Sequence, residues 1–546
     1  MIGGKVMAFF TGIQQTFNLR SDISSEEKEK MHKYLEILEE SGSGEIIEKA
    51  IGKDYKKGGN PGYNPYRMYA TILYAFSKHS GSVRRIEESM KYDLRFLYLM
   101  EEQRPSYSTI SRFCNNVVVA HQKELYSSLL KTIIKKFQID VSDTFIDGTK
   151  FEANANKMKF VWKPTSFHSR LNDGIRTILS NYFELPKSKV SFVPSEIANY
   201  LTQLEQRIVE KGIPFVFGKG NRMHQMVKDY RTLSKMLLKS LDYEEKESIC
   251  GPNRNSFFKT DHDATAMCLK RDYYSGKGST MHAAYSVQLL VSKGFILDYF
   301  VSQERADFKT FIPFLRDFKN IYGYYPKRVC ADSGYGSLDN YRFMETEKIE
   351  NYVKHPYWQK YISGEYIELF HFDSNNDLVC LNGKKATIVT DRNTHSRSRG
   401  TSFYYIDNCV DCHFKPYCMR TLKNKSQVDR TFETSPDLFR FRTEVNANLL
   451  SCKGIELRVN RAAQVEGAFG VIKQDMDYDR VRRRGLENVG AEIMLVAMGY
   501  NLRKLFNLID GKDILNYWVA PDNLEPETPK LFDIDKYLKK HKDSSS

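Results

Sequence analysis

Two short apolar runs in this chain each end on an aspartate, and no other feature constrains the fold as much. Thr144-Phe145-Ile146-Asp147-Gly148-Thr149 reads as a short buried strand that ends in an acid. Arg328-Val329-Cys330-Ala331-Asp332 reads as a second, closed by Ser333-Gly334-Tyr335-Gly336. Between them, Ala284 to Val291 and Phe295 to Val301 flank a Lys293-Gly294 turn and read as a hairpin. An amphipathic helix follows near 307–322, and Tyr352-Val353-Lys354 reads as another short strand. The region is mixed α/β. A third acid, Glu466, lies on a helix over 457–476, where Ala462, Val465, Phe469, Ile472 and Met476 are spaced 3, 4, 3, 4. Glu466 borders that apolar face. It can dock on the sheet with its carboxylate toward the strand ends.

Three carboxylates brought together repel unless something neutralises them. Two hard divalent cations do so with oxygen ligands. Such a pair, ~3.5–4 Å apart, activates an attacking oxygen and stabilises a leaving one. That suits phosphodiester cleavage and strand transfer. Each acid by itself also reads as a turn or capping residue, the usual place of an aspartate before Gly or Ser. Asp261 and Asp263, in Thr260-Asp261-His262-Asp263-Ala264, are rival acids, but they sit in a polar loop and read better as a structural turn. Asp143 and Glu152 flank the first strand, either supporting the acids or solvated.

The rest of the chain bounds the setting. At 546 residues one compact core is not expected, and 41% hydrophobic residues exclude a largely disordered chain. A net charge of +14 fits nucleic acid or another acidic surface, or simple solubility. The longest apolar runs are too short to span a bilayer and no export signal is visible, so no membrane partner is expected. Nine cysteines, an odd number, fit a reducing compartment. Residues 24–135 read as mostly helical. Ser24-Ser25-Glu26-Glu27 has the spacing of a capping box, and Asn64-Pro65 opens a helix after the loop Gly58-Gly59-Asn60-Pro61-Gly62. Residues 165–250 return to long polar helices, 365–435 read as irregular and basic, and the last ~25 residues as a polar tail.

Cys409-x2-Cys412-x5-Cys418, with Cys380 as fourth ligand, has the pattern of a closed tetrahedral Zn²⁺ site bracing an irregular segment. Unligated thiols are the other reading, and His413 is a strained choice of ligand beside Cys412. Arg397, Arg399, Lys415, Arg420, Lys423 and Lys425 surround the cysteines, as a basic flap or a solvated loop. The helices over 82–91 and 106–119 read either as a helix-turn-helix presenting Ser106, Ser108, Thr109 and Arg112 to DNA or as a plain bundle. Arg480, Arg482, Arg483 and Arg484 form a cluster suited to a nucleic-acid backbone, or a solvated turn.

Four stretches together resemble the bacterial insertion-sequence DDE transposases, with an InsH-type N-terminal domain and a likeness to the IS eleven-eighty-two group. They are Gly62-Tyr63-Asn64-Pro65 with Arg104-Pro105-Ser106-Tyr107-Ser108-Thr109-Ile110-Ser111-Arg112-Phe113, then Phe145 to Asn154, Ala331 to Gly336, and Gln464 to Lys473. The resemblance spans roughly residues 5–505. It implies an α/β, RNase H-like catalytic core over 136–505, with a helical insertion at ~160–275 and a Cys-rich one at ~360–435. A helical domain over 1–135 precedes this core and a tail over 506–546 follows it. It implies that Asp147, Asp332 and Glu466 are the triad that holds two Mg²⁺ or Mn²⁺, and that Lys473, two helical turns past Glu466, meets a DNA phosphate. The implied partners are the element's terminal inverted repeats, target DNA and further copies of the chain in a homodimer or larger multimer, at the nucleoid in the cytoplasm. The chain departs from the wider pattern at one point. Many relatives carry an Arg four residues before the Glu and a Tyr three before that. Here those positions are Ala462 and Val459. Arg461 and Arg458 are near, as possible phosphate contacts, but an α-helix aims Arg461 well away from Glu466. A nuclease of the same fold and a catalytically dead DNA-binding protein are the alternatives. The presence of all three acids argues against the latter. A zinc-centred regulator is a further one.

Overall fold

The computed structural model describes residues 23–52, 62–78, 81–216, 223–269, 280–375, 377–389, 401–420, 422, 427–515, 518–521 and 524–542. Gly58-Gly59-Asn60-Pro61, Arg397, Arg399, Lys423 and Lys425 lie outside these residues. The chain divides into two compact units. One is formed by Met1–Phe151, Ser286–Val481 and Glu487–Ser546, the other by Glu152–Tyr285 and Arg482–Leu486.

The strands of the α/β region are β1 (Asp143–Glu152), β2 (Phe160–Trp162), β3 (Ser256–Phe258), β4 (Thr265–Leu269), β5 (Thr280–Ser292), β6 (Phe295–Ser302), β7 (Arg328–Ala331) and β8 (Glu350–Val353). In the first unit the sheet order is β5-β1-β7-β8, with β6 on β5. β1 and β7 run parallel, as do β7 and β8, whereas β5 and β6 are antiparallel, so the sheet is mixed. The β5–β6 turn is the expected Lys293-Gly294 pair. Both residues have positive φ, 48° and 76°, which gives the twist a two-residue hairpin needs. The helix Phe311–Tyr322 joins β6 to β7 and buries Phe311, Phe314, Leu315 and Phe318. Each such side chain contributes about 1.5–3 kcal/mol by leaving water.

The N-terminal helices belong to this same unit. Ser24 accepts a hydrogen bond from the Glu27 amide and starts the helix Ser25–Glu40. Asn64 accepts from the Tyr66 and Arg67 amides ahead of the helix Pro65–Lys78, whose face Tyr69, Ile72, Leu73 and Phe76 is buried as its spacing requires. That helix lies so close to the helix Leu486–Ile509 that a Cβ on Gly499 would meet the Phe76 carbonyl oxygen at 2.5 Å. The Tyr34 and Tyr74 rings pack edge-on against Phe506. Lys123, on the helix Gln122–Lys136, pairs with Asp298 of β6 and with Asp317, both at 2.8 Å.

The stretch 457–476 is not one regular helix. An α-helix over Cys452–Arg461 passes into a π turn at Ala462–Glu466, an α turn at Gly467–Gly470 and a second π turn at Val471–Asp475. Val465, Phe469, Ile472 and Met476 are buried as expected, but Ala462 is exposed and Arg461 is buried in its place. A π turn holds one more residue than an α turn, so the buried stripe shifts by one position on its N-terminal side.

Residues 365–435 are more regular than their composition suggested. Phe370–Phe372 pairs with Leu378–Cys380, and Ser402–Ile406 pairs with Thr387–Ile388 and Arg430–Thr434. Phe370, Tyr404 and Phe432 stack beneath these strands. The C-terminal segment also packs here. Phe532 and Tyr537 lie 4.8 and 4.9 Å from the Tyr417 ring, and Ile534–Lys542 is helical. In the second unit the helices His168–Ser180, Pro194–Glu210 and Gln225–Cys250 enclose Leu171, Ile175, Ile197 and Leu233. β2 pairs with β3, and β4 with the start of β5. Among the described residues no helix is long and apolar enough to cross a membrane.

Candidate active site

The parallel register of β1 on β7 runs Asp143↔Arg328 to Ile146↔Ala331. The next residue in each chain segment is an acid, so Asp147 and Asp332 stand side by side where this ladder ends. Asp332 lies just past the carboxyl end of β7 and Asp147 midway along β1, which runs on to Glu152 instead of ending at the acid as its sequence suggested. Ligands of open α/β sheets bind beside carboxyl ends such as that of β7. Asp147 is 25% exposed, and its Oδ1 accepts from the Gly148 amide at 2.8 Å. Asp332 is 49% exposed, with Lys354 Nζ 3.6 Å away. Glu466 comes from the π turn and is 58% exposed.

The group that gathers these acids is Arg461. Its side chain is 8% exposed, with Nη1 3.2 Å from Asp147 Oδ2 and Nη2 3.3 Å from Glu466 Oε1. This corrects the expectation that Arg461 points away from Glu466. Five residues turn about 140° beyond a full circle in an α-helix, but the wider π turn brings residue i+5 back over residue i. The charges register in the acidities. Burial raises the Asp147 pKa, Arg461 and the Gly148 amide oppose it, and Asp332 and Glu466 add to the rise. Burial pushes Asp332 up too, but the Ser333 amide, Arg461 and Lys354 outweigh it and hold Asp332 below its ordinary value. Burial works against the Arg461 cation, yet Asp147, Asp332 and Glu466 hold its pKa above the ordinary value.

Behind the acids lies a polar brace absent from the sequence reading. Gln288 of β5 donates to Ser286 Oγ at 3.0 Å and to Asp307 Oδ1 at 3.3 Å, and accepts from the Tyr335 hydroxyl. Asn340 donates to the Tyr335 carbonyl at 2.7 Å, fixing the turn that follows Asp332. A Cβ on Gly148 would lie 2.3 Å from Gln288 Oε1, so only glycine fits beside Asp147. The available signal was Ser286 and Gln288 alternating within an otherwise apolar strand.

Lys473 reaches the same strand. Its Nζ lies 2.6 Å from Thr149 Oγ1 and 5.0 Å from the Phe151 ring centre. The other acids have structural partners. Asp143 pairs with Arg328 and Lys453, both at 2.8 Å. In the second unit, Asp261 is buried, accepts from the Tyr285 hydroxyl and takes the Gly485 amide at 3.2 Å, while Asp263 takes the Leu486 amide at 2.8 Å. Glu152 is buried there, 3.8 Å from His282 Nδ1.

Of the arginine cluster, Arg480 falls in the first unit and Arg482, Arg483 and Arg484 in the second, where Arg484 Nε donates to the Asn154 carbonyl at 2.8 Å. In the N-terminal helices, Arg112 is exposed on the helix Tyr107–Phe113. Thr109 is half-buried, its hydroxyl 3.2 Å from Ser106 Oγ. Ser106 caps that helix, and a further helix, Leu94–Leu99, stands between it and Val83–Tyr92. The two helices nonetheless pack together across that longer connection, the Tyr107 amide donating to Glu87 Oε2 at 3.2 Å and Arg84 lying over the Tyr107 ring.

Cys380, Cys409, Cys412 and Cys418 line one cavity of about 30 Å³ together with Leu369, Ile406, Phe414 and Met419. Burial raises the Cys418 thiol to about 11, Arg430 lowers it, and the other three cysteines add to the rise. All are free thiols. His413 faces Asp535 at 3.5 Å instead. Arg420 lies over the Tyr417 ring. Among the described residues no three His, Cys, Asp or Glu side chains are arranged as a metal site, at the acids or at the cysteines. The donors nonetheless fit such ions. Carboxylates suit hard divalent cations and four thiols suit zinc, and at the acids a guanidinium stands in as the cation.

Two family models match the chain. One, described as a transposase domain (DUF772), covers residues 23–116, and the other, described as a transposase DDE domain, covers 379–506. No curated protein and no solved structure matches. The second match contains Glu466, Lys473, all four clustered cysteines and the arginine cluster. Both descriptions are of transposase domains, so in these two regions the chain is similar to transposases, consistent with a DDE transposase of an insertion sequence.

Proposed function

We propose that the chain cuts DNA at the ends of its own element and joins the freed 3′ ends to target DNA, using Asp147, Asp332 and Glu466 on an RNase H-like core. The observation that carries this reading is the register Ile146↔Ala331, which makes two acids neighbours, with a third joined to them through Arg461. The three carboxylates would hold two Mg²⁺ or Mn²⁺, which activate the attacking oxygen and stabilise the leaving one. The chain's own residues set the geometry. The Gly148 amide fixes the Asp147 carboxylate, and the Gln288–Tyr335–Asn340 chain fixes the turn after Asp332. Lys473, poised by Thr149, offers an ammonium to a backbone phosphate. Arg480, Arg482, Arg483, Arg484, Thr109 and Arg112 would hold DNA outside the reacting atoms. Because two element ends must be brought together, the working form is a homodimer or larger multimer, in the cytoplasm at the nucleoid.

The test is cleavage and 3′-hydroxyl transfer on a DNA duplex carrying the element ends. Asp147→Ala, Asp332→Ala and Glu466→Ala should each lose both activities by roughly a hundredfold or more. Full cleavage by all three variants would remove the triad assignment. Hydrolysis without joining in the wild type would make the chain a nuclease.

Cys380, Cys409, Cys412 and Cys418 would hold a structural Zn²⁺, a reading supported by their shared cavity. Purified protein should then carry zinc, and Cys409→Ser should lose it and melt at a lower temperature. Equal zinc content in both would remove this assignment.

A further inference from the structure

Arg461 is the least solvated charge at the site, and its guanidinium cannot shed its proton to leave. It spans Asp147 and Glu466 at 3.2 and 3.3 Å, oxygens that face the place where a divalent cation would bind them. Lys354 attends the remaining acid at 3.6 Å. Three carboxylates therefore face two fixed cations, and the site is nearly neutral before any metal arrives. Adding two divalent ions to it would leave a large positive excess in a half-buried place. Only incoming anions could balance that excess, and a DNA phosphate is the anion this protein meets.

We propose that Arg461 is a positioning residue that holds the metal place between Asp147 and Glu466 and so makes divalent-metal loading depend on DNA. The proposal rests on the three acids being the metal ligands. Without DNA the guanidinium competes with the metal for the same oxygens. With DNA it exchanges them for phosphate, and both carboxylates become available together. The π turn is what makes this competition possible, because it alone brings residue i+5 onto Glu466. The arrangement keeps a strand-cutting site unloaded while it has nothing to cut.

The experiment is Mn²⁺ binding to the full-length protein, read by calorimetry and by the electron-spin resonance of free Mn²⁺, with and without a duplex carrying the element end. Arg461→Gln without DNA should bind Mn²⁺ about tenfold more tightly than the wild type, the size of an ordinary coupling between two ligands. The duplex should tighten Mn²⁺ binding to the wild type by a similar factor and to Arg461→Gln by much less. Arg461→Lys, whose single ammonium cannot span both acids, should bind Mn²⁺ a few-fold more tightly than the wild type and serves if the Gln variant does not fold. Mn²⁺ binding that neither variant tightens would overturn the proposal. Asp147→Ala separates the two levels. If it binds Mn²⁺ like the wild type, the ligand assignment itself fails. If it loses binding while the Arg461 variants bind like the wild type, only the role of Arg461 fails.

Discussion

A methyl group on Gly148 would meet the Gln288 amide at 2.3 Å, and that amide is tied to Ser286, Asp307 and Tyr335. Gly148→Ala must therefore push Gln288 from its place or move β1. We expect a loss of about 1–3 kcal/mol in urea unfolding, the usual cost of overpacking, together with a larger loss of cleavage. Gln288→Ala in the same chain should restore part of the stability, because the clash is gone, but not the activity. An Asp before a Gly was visible in the sequence. The reason for the glycine was not, because the side chain that fills its space comes from a strand 140 positions away.

At the level of elements, the parts read correctly from the sequence were those governed by local rules. The β5–β6 hairpin follows from alternation and a two-residue turn, β7 and the first half of β1 from short apolar runs, although β1 continues past Asp147 to Glu152, and the helix Pro65–Lys78 from its cap and its 3.6 period. The site helix broke the period itself, so an α-helical wheel placed Ala462 inward and Arg461 outward, the reverse of what the chain does. The same shift explains the departure from the wider pattern. With one residue absorbed by the π turn, Arg461 stands where relatives place an Arg four residues before the Glu. Deleting Ala463 tests this. It leaves Arg461 and Glu466 four apart, which face each other in an ordinary α-helix, so cleavage should survive within a few-fold. Deleting Ala468 instead should rotate Lys473 about 100° away from Thr149 and abolish cleavage. The strands of the Cys-rich segment were missed because each is only two to five residues long, too short for alternation to show.

On the scale of the whole molecule, the N-terminal helices and the mixed sheet share one charge cluster around the buried Asp298. Asp298 is fully buried, and its pKa is pushed up to about 6, first by burial and against the pull of Lys123. Its folded pKa thus lies above the unfolded one near 4. The protonated form is favoured in the native state, so this stabilising contribution is complete below about 4 and lost as pH rises through about 6. Asp298→Asn should remove that component, and urea unfolding between pH 4 and 7 should show a flatter profile for the variant. Lys123→Met, which leaves Asp298 without its cation, should cost about 3–5 kcal/mol at neutral pH, as losing one partner of a buried pair does.

The helix Leu486–Ile509 closes the core against Phe76 and Tyr34, although it comes more than four hundred residues after them. A ribosome adding about 5–20 residues per second needs roughly 20–70 s to travel from Asp147 to Phe506. Until Glu466 is added the nascent chain holds one or two of the three acids, and the core stays unclosed until the helix is complete. The order of synthesis thus acts as a timer. The cutting proposed above would then await the final stretch of translation, and a polypeptide truncated before that helix would be released without its packing against Phe76 and Tyr34.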